Sequence, residues 1–213
     1  CCGREPMSEK DAGPCAMGVD MGKGKHVVIG RRVDRERYEI LKTIAVGSMN
    51  DVHDLARRYN VRCAVVDIRP YEDEARAFQK SEPYRIWLSQ YLDASPLEPQ
   101  YNEDNGIVKN DRTQMCDKTH RLLTDKLIAL PRRCPVIDTF IAQVCNIAKV
   151  KEVNERTGTP IFRYRIVKSG ATGDHYRHAL NYFLLAAKYV SVSKRFGYAL
   201  PHSDKAVTSY RMM

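Results

Sequence analysis

The chain has 213 residues, enough for one substantial α/β domain with small appendages and too few for two large ones. A hydrophobic content of 43% supports a buried core, the longest apolar run (residues 182–187) is far short of a membrane span, and no secretory leader is recognised, so neither membrane insertion nor secretion is expected. Thirty-five Lys and Arg against 26 Asp and Glu give a formal charge of +9, which favours a polyanionic partner such as nucleic acid, with a basic but inert surface as the alternative.

Residues 1–15 are polar and turn-like, with Gly3, Pro6, Gly13 and Pro14, and read as a linker or the remnant of a preceding segment. Cys2-Gly3 resembles half of a zinc knuckle, so Cys1, Cys2 and Cys15 are a candidate zinc site, with three unbonded thiols as the alternative. The other cysteines lack the spacing of a disulfide framework, and Cys63 and Cys145 read as small buried hydrophobes of an intracellular protein.

A strand at residues 16–20 ends in Asp20, a glycine turn follows, and a second strand at 26–29 completes a hairpin. A third strand is expected at 38–46. Ser48 with Asp51 is a capping signal for a helix carrying Val52, Leu55, Ala56 and Tyr59. A buried-strand pattern at 61–66 ends at Asp67, Pro70 opens a second helix, and one more strand is expected at 84–88. Residues 93–106, rich in Pro, Asp, Asn and Gly, read as a loop that is a candidate gate. Helices are expected over 113–127 and 136–147, a hairpin over 147–167, and a final helix over 172–190, leaving a tail from 196. The order predicts an α/β domain over residues 16–195, a mixed central sheet with helices on both faces.

Asp20 and Asp67 each end an apolar strand, where side chains of an open α/β sheet converge on a ligand crevice. Asp174 starts the last helix and is the third acid that could meet them. Taken singly, each has a plainer explanation: a turn residue, a loop anchor, a partner of the helix dipole. Clustered, three carboxylates would either protonate or hold a cation, because two at about 4 Å repel by about 4 kcal/mol at an effective dielectric near 20. Oxygen ligands favour Mg²⁺ or Mn²⁺, and two such ions would suit hydrolysis of a phosphodiester.

At these residues the chain resembles the nuclease domain of the large terminase subunit of tailed phages and related viruses. The matching pieces are residues 17–22 with 26–29, residues 64–67, and residues 173–179, with residues 111–113 and 136–140 as further signposts. The resemblance implies a ribonuclease H-like fold and a metal-dependent endonuclease that cuts concatemeric double-stranded viral DNA in the cytoplasm of the infected host cell. It implies that Asp20, Asp67 and Asp174 hold two Mg²⁺ or Mn²⁺ ions, and that the terminase small subunit and the portal of the procapsid are partners. His26 stands where some members carry a further acid, and His175, Arg177 and His178 follow the third acid. Of these, His26, Arg177 and His178 are candidate accessory groups, and Lys23, Lys25, Arg112 and Lys168 are candidate DNA contacts. No G-x-x-x-x-G-K-[S/T] loop is present, so the ATPase domain of such a motor is expected upstream. The alternative is a non-catalytic DNA-binding or portal-docking module with the same fold; an actin-like nucleotide-binding domain is a third reading.

Overall fold

The computed structural model describes residues 2–22, 24–92, 98–155, 157–168 and 173–192. A hairpin of β1 (Cys15–Asp20) and β2 (Lys25–Arg32) continues antiparallel into β3 (Tyr38–Val46). Helix α1 (Met49–Arg58) then leads to β4 (Val61–Asp67), which lies parallel to β1. Helix α2 (Glu72–Ser81) leads in turn to β5 (Arg85–Leu92), parallel to β4. Two further strands, β6 (Gln100–Asn102) and β7 (Ile107–Asp111), extend that edge, with β7 parallel to β5. Helix α3 (Arg112–Thr124), the short β8 (Ile128–Ala129) and helix α4 (Pro135–Cys145) follow. A separate hairpin of β9 (Ile147–Val153) and β10 (Pro160–Ile166) precedes helix α5 (His175–Ala186), which tightens into a 3₁₀ turn, Ala187–Tyr189. The main sheet has the order β6-β7-β5-β4-β1-β2-β3-β8.

Both faces of this sheet are covered, because side chains alternate along each strand. Met17, Val19, Val27, Ile29, Ala64 and Val66 pack under α1 and α2. Ala16, Val28, Cys63, Val65 and Trp87 pack on the other face beneath α5, with α3 and α4 beside it. The mixed sheet with helices on both faces is therefore as expected. Helix α1 starts where the capping signal lies: Ser48 accepts from the Asp51 amide and Asp51 reaches back to the Ser48 amide.

Helix α5 is buried on every side from Tyr176 to Ala186. It lies directly on β1 because Gly18 has no side chain there. A Cβ at Gly18 would sit 2.1 Å from the Ala179 carbonyl oxygen and 2.2 Å from the Phe183 amide nitrogen. That contact is backbone against backbone, so no side chain can yield.

Three sequence expectations are corrected. Residues 93–106 are not one loop: β6 lies within them and pairs with β7, which was also not foreseen. Strand β7 buries one apolar side chain, Val108, and an amide, Asn110, whose Nδ2 donates to Ser89 (3.0 Å); its pattern is too polar to read as a strand. Residues 93–97 lie outside the described residues, as does the tail from 193. Residues 2–14 are bound to the domain instead of linking away from it: the Gly3, Ser8 and Asp11 amides donate to the Leu130, Leu41 and Arg58 carbonyls. Cys145, expected to be buried, is exposed at the end of α4.

Among the described residues, no helix is long and apolar enough to cross a membrane.

Replacing Gly18 by Ala should force α5 off the sheet and cost at least about 3 kcal/mol, by analogy with severe overpacking. Gly47→Ala, where a Cβ meets nothing within 4 Å, should change stability by less than about 1 kcal/mol. Urea unfolding of the two variants checks this, and equal stabilities would contradict the close α5–β1 contact.

Candidate metal centre

The strands deliver the site through their two-residue period. Asp20 follows Ala16 and Gly18 on the α5 face of β1, and Asp67 follows Cys63 and Val65 on the same face of β4. Val19 pairs with Val66, so Asp20 and Asp67 stand side by side at the ends of adjacent parallel strands. On the other side of β1, His26 is the cross-strand partner of Asp20. Helix α5 brings the remaining groups, since its N-terminus rests over this edge of the sheet.

Asp174 is the N-cap of α5, but its carboxylate makes no capping hydrogen bond. Its Oδ2 instead accepts from Arg112 (3.1 Å) and from His178 Nε2 (3.1 Å). His175, the next residue, donates Nδ1–H to Asp20 Oδ2 (2.9 Å), so the helix start is tied to the end of β1. Asp67 accepts from the Arg69 amide (3.1 Å) and from the Tyr182 hydroxyl (2.9 Å). Asp20 and Asp174 are 6% and 7% exposed, and Asp67 is half-buried.

Behind Asp174 runs a directed chain of hydrogen bonds. Thr119 donates to Asn181 Oδ1 (2.5 Å), and Asn181 Nδ2 donates to the Tyr91 hydroxyl (3.0 Å). The Tyr91 proton then has His178 Nδ1 as its acceptor (3.1 Å), which leaves Nε2–H to point at Asp174. In this tautomer the Arg112 guanidinium, 3.0 Å from the same Nε2, is a close neighbour of His178 whose hydrogen bond goes to Asp174.

These surroundings treat the acids differently. Burial raises the Asp67 carboxyl to about 6, and the Asp20 charge adds to the rise against the hydrogen bonds of Arg69 and Tyr182. Burial also opposes ionisation of Asp174, but the His178 hydrogen bond and the Arg112 charge outweigh it and hold that carboxyl below its ordinary range. The Asp20 hydrogen bond raises His175, whereas burial and the neighbouring His175 lower His26.

Among the described residues, one group of three metal-binding side chains has ligand atoms within 4.8 Å of one another: Asp20, His26 and His175. Asp67 and Asp174 flank it and do not complete a single tight cluster with Asp20. The three carboxylates thus share one edge of the sheet, but the tightest donor set there contains two nitrogens. His175, not among the accessory groups singled out from the sequence, is the residue that joins α5 to Asp20. Its signal was available: it immediately follows Asp174 and precedes the buried face of the helix.

Other assignments are corrected. Arg177 does not reach the site; it is 2% exposed, and its guanidinium donates to the Val144 and Cys116 carbonyls (3.2 and 2.5 Å), bridging α3, α4 and α5. Residues 177 and 178 lie three and four positions past Asp174, so both can share its side of the helix; the α3 and α4 carbonyls take Arg177, and His178 is the one that meets Asp174. Lys25 is buried, ion-paired with Glu74 (3.2 Å) and set over the Tyr71 ring, and so is not available as a backbone contact. Arg112 belongs to the site itself, and Lys168 is exposed near it, its backbone bonded on both sides to Asn146. Lys23 lies outside the described residues. The zinc reading of the N-terminal cysteines meets an obstacle: Cys15 is buried in β1, and Cys2 lies beside Leu130 beyond β2 and β3. At a strand spacing of about 4.8 Å the two thiols cannot share one ion, and Cys1 lies outside the described residues.

Compared with protein-family models, with curated proteins and with solved structures, the chain matches none.

A cation fits this edge on its donor chemistry: of the three carboxylates only Asp174 has a guanidinium beside it, and burial pushes the Asp67 carboxyl toward protonation. In the absence of metal, Asp67→Asn should therefore stabilise the protein near pH 8. The folded-state value lies above the unfolded 3.8, so the contribution from protonated Asp67 is full below pH 4 and lost as the pH rises through 6. Urea unfolding in EDTA should show the advantage of the Asn variant at pH 8 and its disappearance at pH 4; an advantage independent of pH would contradict the assignment.

Proposed function

We propose that the chain is a metal-dependent endodeoxyribonuclease, the nuclease domain of a viral DNA-packaging large terminase subunit, with a ribonuclease H-like fold. One observation carries the reading: Asp20 and Asp67 end adjacent parallel strands on the face that α5 covers, and Asp174 starts α5 over the same edge. An antiparallel meander extended by parallel strands, β3-β2-β1-β4-β5, is compatible with that fold.

In this reading Asp20, Asp67 and Asp174 hold two divalent ions, Mg²⁺ or Mn²⁺, with the histidines beside them. Such ions supply an activated water and neutralise charge on the departing 3′ oxygen. The chain's own groups do the positioning. The relay from Thr119 to His178 fixes the Asp174 carboxylate, and Arg112, 43% exposed at its side chain, is placed to hold a phosphate oxygen beside it. Lys168 lies near the helix start, and the β9–β10 hairpin beside α3 carries Lys151 and Arg163 together with Lys149 and Arg165, which pair with Asp117 and Glu152 and would have to exchange those partners for phosphate. Double-stranded viral DNA is the substrate, and the small subunit and portal are the partners this reading supplies.

Plasmid nicking in Mn²⁺ tests it. Asp20→Asn, Asp67→Asn and Asp174→Asn should each lower the rate by at least about 100-fold, since each loses a ligand and not merely an outer partner. The wild-type rate should also fall steeply as salt rises, because phosphate contacts release counterions. Full activity in all three variants would reject the site; metal-independent DNA binding with no cleavage would favour the docking-module reading.

A further inference from the structure

We infer that Asp20, His26 and His175 form a mixed nitrogen–oxygen site that takes one borderline transition cation, of the Mn²⁺ to Zn²⁺ series, and discriminates against Mg²⁺. The inference rests on the reading that Asp20 carries a cation, and it names the kind of cation.

The three ligand atoms lie within 4.8 Å of one another, somewhat more than the roughly 4.2 Å that one ion at about 2.1 Å from each can span, so the side chains must close by a few tenths of an ångström to share it. His26 has the tautomer a ligand needs. Its Nδ1 lies 3.3 Å from the Gly24 carbonyl, which can only accept, so Nδ1 carries the proton and Nε2 the lone pair. A backbone carbonyl on the far ring nitrogen is the usual outer partner of a metal-bound histidine. The Tyr176 ring, edge-on at 4.8 Å, holds the His26 ring from the side.

His175 provides the second nitrogen. Its ring stacks on His26 with centroids 4.6 Å apart and planes 16° from parallel. Parallel rings aim their lone pairs side by side, so a shared ion requires one ring to tilt. His175 is the one that can, because its side chain is 46% exposed. The tilt gives up the hydrogen bond to Asp20 and replaces it with ligation of both residues to one cation.

Two imidazoles change which ion is preferred. Mg²⁺ demands six near-octahedral oxygen ligands and sheds water reluctantly, whereas imidazole suits the later first-row ions. Asp67 and Asp174, at the flanks, are left as the oxygen ligands of any second ion.

Metal titration of the full chain without DNA tests the site. By calorimetry Zn²⁺ should bind at least about 10-fold more tightly than Mn²⁺, with Mg²⁺ weakest. His26→Gln and His175→Gln should each weaken Zn²⁺ by about 10- to 100-fold while changing Mg²⁺ by less than about 2-fold. Because a variant could misfold, imidazole ¹⁵N spectra of the wild-type protein provide a second readout: one equivalent of Zn²⁺ should shift His26 Nε2 and leave Nδ1 protonated. Zn²⁺ affinity insensitive to both substitutions, or an unmoved His26 Nε2, overturns the site. Histidine-dependent Zn²⁺ binding in a protein that nicks no DNA in Mn²⁺ or Mg²⁺ would instead leave this site standing and reject the nuclease reading.

Discussion

The contact on which the rest depends is that of α5 with β1. A helix normally stands off a sheet because side chains separate them, but at Gly18 the two backbones meet. The consequence reaches both ends of the helix. Toward its C-terminus, Phe183 packs against Tyr38 and close to Gly30. Toward its N-terminus, Asp174 and His175 are lowered onto the strand ends, where His175 meets Asp20. A site assembled from residues more than 100 positions apart is thereby set by a missing side chain in the middle of a strand.

Once α5 is seated, its polar residues have to be satisfied where they lie. The helix is buried all round, yet it carries Arg177, His178 and Asn181. Arg177 donates to carbonyls of α3 and α4, which joins the three helices of that face. His178 and Asn181 turn the other way and, through Tyr91 and Thr119, form the relay that ends on Asp174. Buried polar groups cost free energy unless they are paired, so a chain of this kind specifies one arrangement of the helix over the sheet. It also frees the Asp174 carboxylate from the capping role its position would otherwise give it.

The electrostatic state of the edge follows from this packing. Asp174 has Arg112 and His178 and is comfortable as an anion. Asp67 has two hydrogen bonds but no cation of its own, and burial with the Asp20 charge beside it pushes it toward protonation. Asp20 shares its charge with His175 and faces His26 across the hairpin. The unmet negative charge therefore lies on the β1–β4 side of the site, where the proposed cations would sit, and the positive charge on the α3 side, where a phosphate would be held.

Local pattern determined a good deal here. The alternation that ends in Asp20 and Asp67, the Ser48–Asp51 cap of α1 and the polar turn between β9 and β10 are written in neighbouring residues, because strand period, capping and turns are short-range physics. From them followed the hairpin, the crossover strand and two of the three acids on one sheet edge. Strand β7 escaped, since the partner that satisfies Asn110 is Ser89 on another strand. The fates of Arg177 and His178 were likewise undecided: both follow Asp174 by about one turn, and only the placement of α3, α4 and the sheet around the helix assigns one to the frame and the other to the acid. The same holds for His26 and His175, which are distant in sequence and stack only because β2 and α5 meet over Asp20. Sequence determined which side chains reach the edge of each element; tertiary packing decided which of them touch, because those contacts depend on distances between elements that no local pattern encodes.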